Sequence, residues 1–267
     1  MDGLLIARVV MVKHENFKTC DQSGFCRRNR AYADAAARQS SSWQSPYTLD
    51  PNSIRFNNGV LSGTVLKKVT NSDETVRLPL TVTFLESGTA RVTLDEERRQ
   101  KGDIVLRDDS KARKERYNEA SKWAVVGGLD VSKGAALNKD TVAGTTKVAY
   151  GAGSKYEAVI QHSPFGIDFR RDGNTHIRFN ERGLLNVEHW RPKVEKEKKE
   201  DDEQVVEEVS KEVAEDESTW WEESFGGSHD SKPRGPESIA LDVSFPGYNH
   251  VYGIPEHASS MSLKETR

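Results

Sequence analysis

From residue 53 onward, apolar residues fall at every second position over short stretches, and turn-forming residues separate the stretches. Ile54 and Phe56 alternate with polar neighbours, Asn57-Asn58-Gly59 follows, and residues 60–69 continue the pattern. Asn-Gly between two such stretches predicts a β-hairpin, because both central residues of a type I′ turn need positive φ. Residues 78–85 and 90–94 form a second pair around Glu86-Ser87-Gly88. Residues 146–150 and 155–162 read as two more strands. Residues 164–170 and 176–180 flank Arg171-Asp172-Gly173-Asn174, where Asp-Gly gives another hairpin turn. Residues 183–187 make a further short strand. Residues 238–245 alternate again, with Ile239, Leu241 and Val243 on one face. Many short strands joined by tight turns predict an all-β fold, an antiparallel β-sandwich. Strands do not alternate with long helices, which argues against a doubly wound sheet. No repeat of 20–50 residues marks a solenoid or propeller.

Three stretches break the period. Residues 13–50 read as an extended leader, in which an Ala-rich patch from Ala31 to Ala37 predicts one or two helical turns. Trp43 and Tyr47 then flank Pro46, which favours an extended path, and both rings are expected to dock on a domain surface. Residues 96–122 are charged and read as helical or irregular. Residues 193–217 are rich in Lys, Glu and Asp, a composition that suits a solvated insertion in a surface loop. The expected division is a leader over 1–50, the first part of the sandwich over 51–192, a charged insertion over 193–218, and the second part of the sandwich over 219–267.

Composition narrows the partners. Net charge is −3 over 267 residues, 30% of them charged. No basic stripe accompanies that charge, which argues against nucleic acid as a partner, since phosphate binding needs clustered Lys and Arg. No stretch reaches the length needed to span a bilayer. Residues 1–12 are apolar but short, interrupted by Asp2 and Arg8, and lack the full secretory pattern. Cys20 and Cys26 enclose a short loop containing Gly24. A small disulfide ring is the favoured reading and implies an oxidising compartment; two unpaired surface thiols are the alternative. A zinc site would need two further ligands, and His14 is the one suitable near neighbour, so no metal site is expected.

The search for reaction chemistry excludes more than it finds. No phosphate loop, metalloprotease helix or nucleophile elbow is present, and Gly151-Ala152-Gly153 lacks the helix that a dinucleotide fingerprint requires. No cofactor is expected. Glycoside hydrolysis is defined by a spatial pair of carboxylates, which a sequence does not display. Trp220-Trp221 beside Glu222-Glu223 offers indole faces that suit sugar rings, although two anchors returning the chain to its core explain the pair more simply. The most site-like segment is His250-Val251-Tyr252-Gly253-Ile254-Pro255-Glu256-His257-Ala258, which sets aromatic, imidazole and carboxylate groups around a Gly and a Pro. Gly253 there suits a close backbone approach or a special dihedral.

Several of these motifs occur together in one family, and in the same order. Residues 12–20, Phe25-Cys26-Arg27-Arg28-Asn29-Arg30, Trp221-Glu222-Glu223-Ser224-Phe225, Asp230-Ser231-Lys232-Pro233 and the closing motif resemble the N-terminal portion of glucosidase II catalytic (alpha) subunits, in glycoside hydrolase family 31, in a fungal-like version. The resemblance implies a mutarotase-like β-sandwich. It also implies an α-glucosidase of the endoplasmic-reticulum lumen that trims α-1,3-linked glucose from N-glycans and works with a beta subunit. The family's catalytic carboxylates lie in a following (β/α)8 barrel, so no catalytic residue is assigned. This stretch is expected to be a truncated part of the parent, inactive alone. Tyr252, Gly253, Glu256 and His257 are expected to bind carbohydrate or support its pocket, the supporting role being favoured for Glu256 and His257. The alternatives are a carbohydrate-binding module using Trp220, Trp221, Tyr252 and His257, or a subunit-docking module.

Overall fold

A computed structural model describes residues 17–69, 73–96, 125, 127–140, 143–189, 219–232, 235–236, 238–253 and 262–263. The expected charged insertion over 193–218 lies outside them, as do nearly all of 96–122 and the residues Glu256 and His257. The chain divides into two compact units, one combining residues 1–38 with 187–238 and the other combining 39–186 with 239–267.

In the second unit, strands β1 (Tyr47–Asn57), β2 (Val60–Lys68), β3 (Thr75–Phe84) and β4 (Ala90–Leu94) form a four-stranded antiparallel meander. The β1–β2 hairpin turns at Asn58 (φ 45°) and Gly59 (φ 72°), the positive-φ pair that the Asn-Gly signal requires. A larger sheet contains β5 (Ala136–Asp140), β6 (Thr145–Tyr150), β7 (Tyr156–Gln161), β8 (Gly166–Arg171) and β9 (Asn174–Phe179). Its β8–β9 hairpin turns at Asp172 (φ 49°) and Gly173 (φ 81°). Two-residue strands β10 (Asn186–Val187), β13 (Ile239–Ala240) and β14 (Val243–Ser244) follow, and β14 pairs with β9 to form one edge of the larger sheet.

Period-two burial explains the core. Leu78, Leu80, Val82 and Phe84 alternate along β3 and are all buried, while Val148 and Tyr150 do the same on β6. Phe84 and Tyr150 meet across the two sheets with ring centroids 4.8 Å apart. Backbone bonds tie the sheets together: the Leu49 N–H donates to His162 O at 2.8 Å, and the Phe165 N–H to Tyr47 O at 2.9 Å. The unit is therefore the predicted antiparallel two-sheet, all-β arrangement.

Several expectations need correction. Tyr47 does not dock on a surface; it is fully buried in β1, which begins within the stretch read as leader. Strand β5 was not expected, because Ala-Leu-Asn-Lys-Asp carries a single large apolar residue and serves as a polar sheet edge. The strand expected over 238–245 is two short pieces rather than one, and its apolar face points outward: Ile239, Leu241 and Val243 are all exposed.

The other unit holds α1 (Gly24–Gln39) and the hairpin of β11 (Glu222–Phe225) and β12 (Ser228–Ser231). The helix is far longer than the one or two turns expected from the Ala-rich patch. Ala and Arg are strong helix formers, and Arg38 in the last turn complements the helix dipole. Among the described residues α1 is the one α-helix, and none is long and apolar enough to cross a membrane.

Candidate functional site

The closing segment leaves the larger sheet through a tight bend. Tyr248 N–H donates to Phe245 O at 3.2 Å, and Gly247 takes φ 81°, as such a turn demands. The chain then runs through His250, Val251 and Tyr252, where Val251 O accepts the Leu263 N–H at 2.8 Å. His250 Nδ1 lies 3.1 Å from Ser262 Oγ, and its ring sits 6.3 Å from that of Tyr252. Tyr248 hydroxyl and His176 Nδ1 are hydrogen-bonded. Tyr248 and Tyr252 are both exposed, at 53% and 60%, with the Tyr248 ring 5.8 Å from that of His176. Gly253 has φ 130°, a value that L side chains rarely adopt, and among the described residues nothing lies within 4 Å of the position of a Cβ. Of its two expected reasons, the structure shows the special dihedral.

A hub of hydrogen bonds fixes Asp242, a few residues before this segment, to the end of β9. Buried Asn180, at φ 61°, donates from Nδ2 to Phe165 O at 2.6 Å and accepts the Leu185 N–H on Oδ1 at 2.7 Å. Asn180 N–H donates to Asp242 O at 2.9 Å. The Asp242 carboxylate accepts the N–H groups of Arg182 and Leu184 at 2.8 and 2.9 Å. Beside it, Ser244 and Arg178 hydrogen-bond to Glu181 and hold its carboxyl below the usual 4.5.

The smaller unit has its own polar centre. Gly24 N–H, at the start of α1, donates to Glu223 Oε1 at 2.9 Å. Lys232 Nζ lies 2.7 Å from Glu223 Oε2, and Lys18 Nζ lies 3.2 Å from Oε1. Burial works to raise the Glu223 pKa, but the bonds from Lys232, Gly24 N–H and Lys18 outweigh it and bring it down to about 2. One turn along the helix, buried Arg28 pairs with Glu188 and hydrogen-bonds to Thr219 Oγ1, and Glu188 accepts the Ser238 hydroxyl. Gly24 packs so closely that a Cβ there would meet Thr219 Oγ1 at 1.9 Å. Cys20 and Cys26 are unbonded thiols with sulfurs 2.9 Å apart. The Cys20 hydrogen bond, followed by burial, raises the Cys26 pKa.

The structure thus brings Tyr252 and Gly253 into one segment with His250, but the other two expected pocket residues, Glu256 and His257, lie outside the described part. Trp220 is buried and packs edge-on to Trp221 at 6.5 Å, which suits an anchor and removes its face from sugar stacking. Sequence reasoning missed Asn180, Asp242, Arg28 and Glu223, whose partners lie far along the chain. A general acid for glycoside hydrolysis needs a raised carboxyl pKa. Glu181 and Glu223 are both moved down instead. Among the described residues no cluster of His, Cys, Asp or Glu is placed to hold a metal ion.

Comparison with known proteins accounts for this arrangement. Residues 79–267 match the family described as the glycosyl hydrolase 31 N-terminal galactose mutarotase-like domain. The chain is 35% identical to glucosidase 2 subunit alpha of Schizosaccharomyces pombe, over 94% of its own length and 25% of the relative's. It is 30% identical to human neutral alpha-glucosidase AB, over 99% of its own length and 26% of the relative's. The chain therefore spans about a quarter of the length of the curated relatives it matches. A crystal structure of a Tris-bound glucosidase II alpha subunit superposes with a TM-score of 0.78 at 57% identity, covering 96% of this chain and 26% of that one. Another, of a heterodimeric complex of an ER glucosidase II catalytic subunit with the binding domain of its regulatory subunit, gives 0.77 at 58%, covering 94% and 25%. The chain belongs to glycosyl hydrolase family 31, through that family's N-terminal galactose mutarotase-like domain.

Proposed function

We propose that this chain is the N-terminal, non-catalytic portion of an endoplasmic-reticulum α-glucosidase that removes α-1,3-linked glucose from N-glycans. The observation that carries the proposal is the family match over residues 79–267 combined with the two-sheet, all-β fold. Relatives named glucosidase 2 subunit alpha point to the same enzyme. In this reading the barrel of the full enzyme performs the chemistry, and the sandwich holds the approach to its glucose pocket. Tyr252 and Gly253, with Glu256 and His257, shape that approach. The glucosylated N-glycan is the parent's substrate. A beta subunit is its partner, a reading supported by the related complex of catalytic and regulatory subunits. Cys20 and Cys26 close a disulfide in the oxidising lumen, which their proximity favours.

The test is hydrolysis by the purified chain. No glucose release from nigerose or an aryl α-glucoside is expected. Release above the level of a heat-treated control would overturn the proposal.

A further inference from the structure

In the smaller unit, the two thiols lie beside the two partners of one carboxylate oxygen. Glu223 Oε1 lies 3.2 Å from Lys18 Nζ and accepts the Gly24 N–H at 2.9 Å. Lys18 stands two residues before Cys20, and Gly24 two residues before Cys26. The segment between the thiols is already wound. Gln22 and Ser23 N–H groups donate to Thr19 O at 3.1 and 3.2 Å, and the Arg27 N–H donates to Ser23 O at 3.0 Å. Asp21, inside the segment, pairs with Arg30 of α1 at 2.5 Å. Glu223 belongs to β11 and is 199 residues beyond Gly24 along the chain. Its carboxylate therefore ties the Cys20–Cys26 loop to the β11–β12 hairpin. Lys18 adds a second contact to that hairpin, with Nζ 5.9 Å from the centre of the Phe225 ring.

We infer that Cys20 and Cys26 form a redox-sensitive clasp: closing their disulfide tightens the hold of Lys18 and Gly24 on Glu223 and secures the β11–β12 hairpin, and opening it loosens the hairpin. The inference rests on the proposed reading that these thiols pair in an oxidising lumen. The step is an exchange with a small-molecule disulfide such as oxidised glutathione. One protein thiolate attacks that disulfide, forming a mixed disulfide and releasing one glutathione, and the second protein thiolate then displaces the other. One S–S bond forms in the protein as one breaks in glutathione, and two electrons and two protons pass to the two glutathione thiols. Closing the ring restricts the chain that carries both partners before they reach Glu223, so their shared hold costs less conformational entropy. Coupling between two sites is reciprocal, so the Glu223 charge in turn favours the disulfide over the dithiol.

The test uses the whole chain in glutathione buffers and has two measurements. Hydrogen exchange is compared between the disulfide and dithiol forms. Amides of residues 222–231 should exchange at least about fivefold more slowly in the disulfide form, while those of the β8–β9 hairpin change far less. The equilibrium constant with glutathione is then measured by thiol alkylation for the wild type and for Glu223→Gln, which removes the charge. That constant should fall about fivefold in the variant, the low end of ordinary coupling between sites. Equal slowing in both hairpins would overturn the inference, because the disulfide would then be a general stabiliser. An equilibrium constant that Glu223→Gln leaves unchanged would overturn it too. If the variant does not fold, the wild-type exchange comparison decides alone. A wild-type chain that stays dithiol throughout overturns the pairing and the clasp together, whereas a disulfide that forms without slowing exchange in the β11–β12 hairpin overturns the clasp alone.

Discussion

Asp242 holds Asn180 through a 2.9 Å bond from the Asn180 N–H to its backbone carbonyl. The same residue caps the following turn with its carboxylate, accepting from Arg182 and Leu184. Asp242→Ala removes both acceptors and leaves two backbone donors without them. A loss of about 0.5 to 1.5 kcal/mol is expected, the net worth of a hydrogen bond, since the Arg182 bond is exposed and the Leu184 bond only partly buried. Urea unfolding of the variant measures it, and a loss below about 0.5 kcal/mol would show that water replaces the carboxylate at no cost.

Glu223 makes stability depend on acid. Its folded pKa, about 2, lies below the ordinary 4.5. Its contribution is therefore complete above about 4.5 and is lost as pH falls toward about 2. Glu223→Gln should cost about 1.5 to 3 kcal/mol at neutral pH, the range for hydrogen bonds to a charged group. It should also flatten the stability profile between those two pH values. A profile of unchanged slope would place the acid sensitivity in another group.

Gly24 is required by space rather than by its dihedral. A Cβ there would lie 2.6 Å from Thr219 Cβ, which no side-chain rotation moves aside. Gly24→Ala gains up to about 1 kcal/mol of helix propensity. Overpacking costs typically about 1 to 3 kcal/mol. A net loss is expected in thermal melting, and a more stable variant would mean that α1 shifts freely away from Thr219.

Oxidation of Cys20 and Cys26 should consume both thiols and stabilise the chain by about 2 kcal/mol, the loop-closure value for so short a ring. Thiol titration and melting before and after oxidation provide the check. Cys26→Ser should abolish the gain. Two thiols persisting under a glutathione buffer of luminal potential would contradict the pairing.

The hairpins were legible because their signals are local. Asn58-Gly59 and Asp172-Gly173 carry positive φ in their own residue types, and β2 beside the first turn buries Leu61 and Val65 on one face. What was not legible depends on distant partners. Arg28 is buried because Glu188 lies against it, and α1 starts where Glu223 accepts the Gly24 N–H. Neither contact leaves a trace in the helix sequence. Residues 239–245 show the sharper limit. Their alternation matches the alternating exposure, with Ile239, Leu241 and Val243 exposed, but it read as one strand with a core face what the structure divides into two short strands in different sheets. The aromatic and glycine pattern singled out Tyr252 and Gly253 in the sequence, whereas the Asn180–Asp242 hub became visible only in three dimensions.

The most direct measurement is glucose release from nigerose by a chimera that carries this chain in place of the matched quarter of the 57% identical glucosidase II alpha subunit. Activity within about tenfold of the parent enzyme is expected, a difference of about 1.4 kcal/mol in barrier. A chimera that melts cooperatively yet releases no glucose would contradict it.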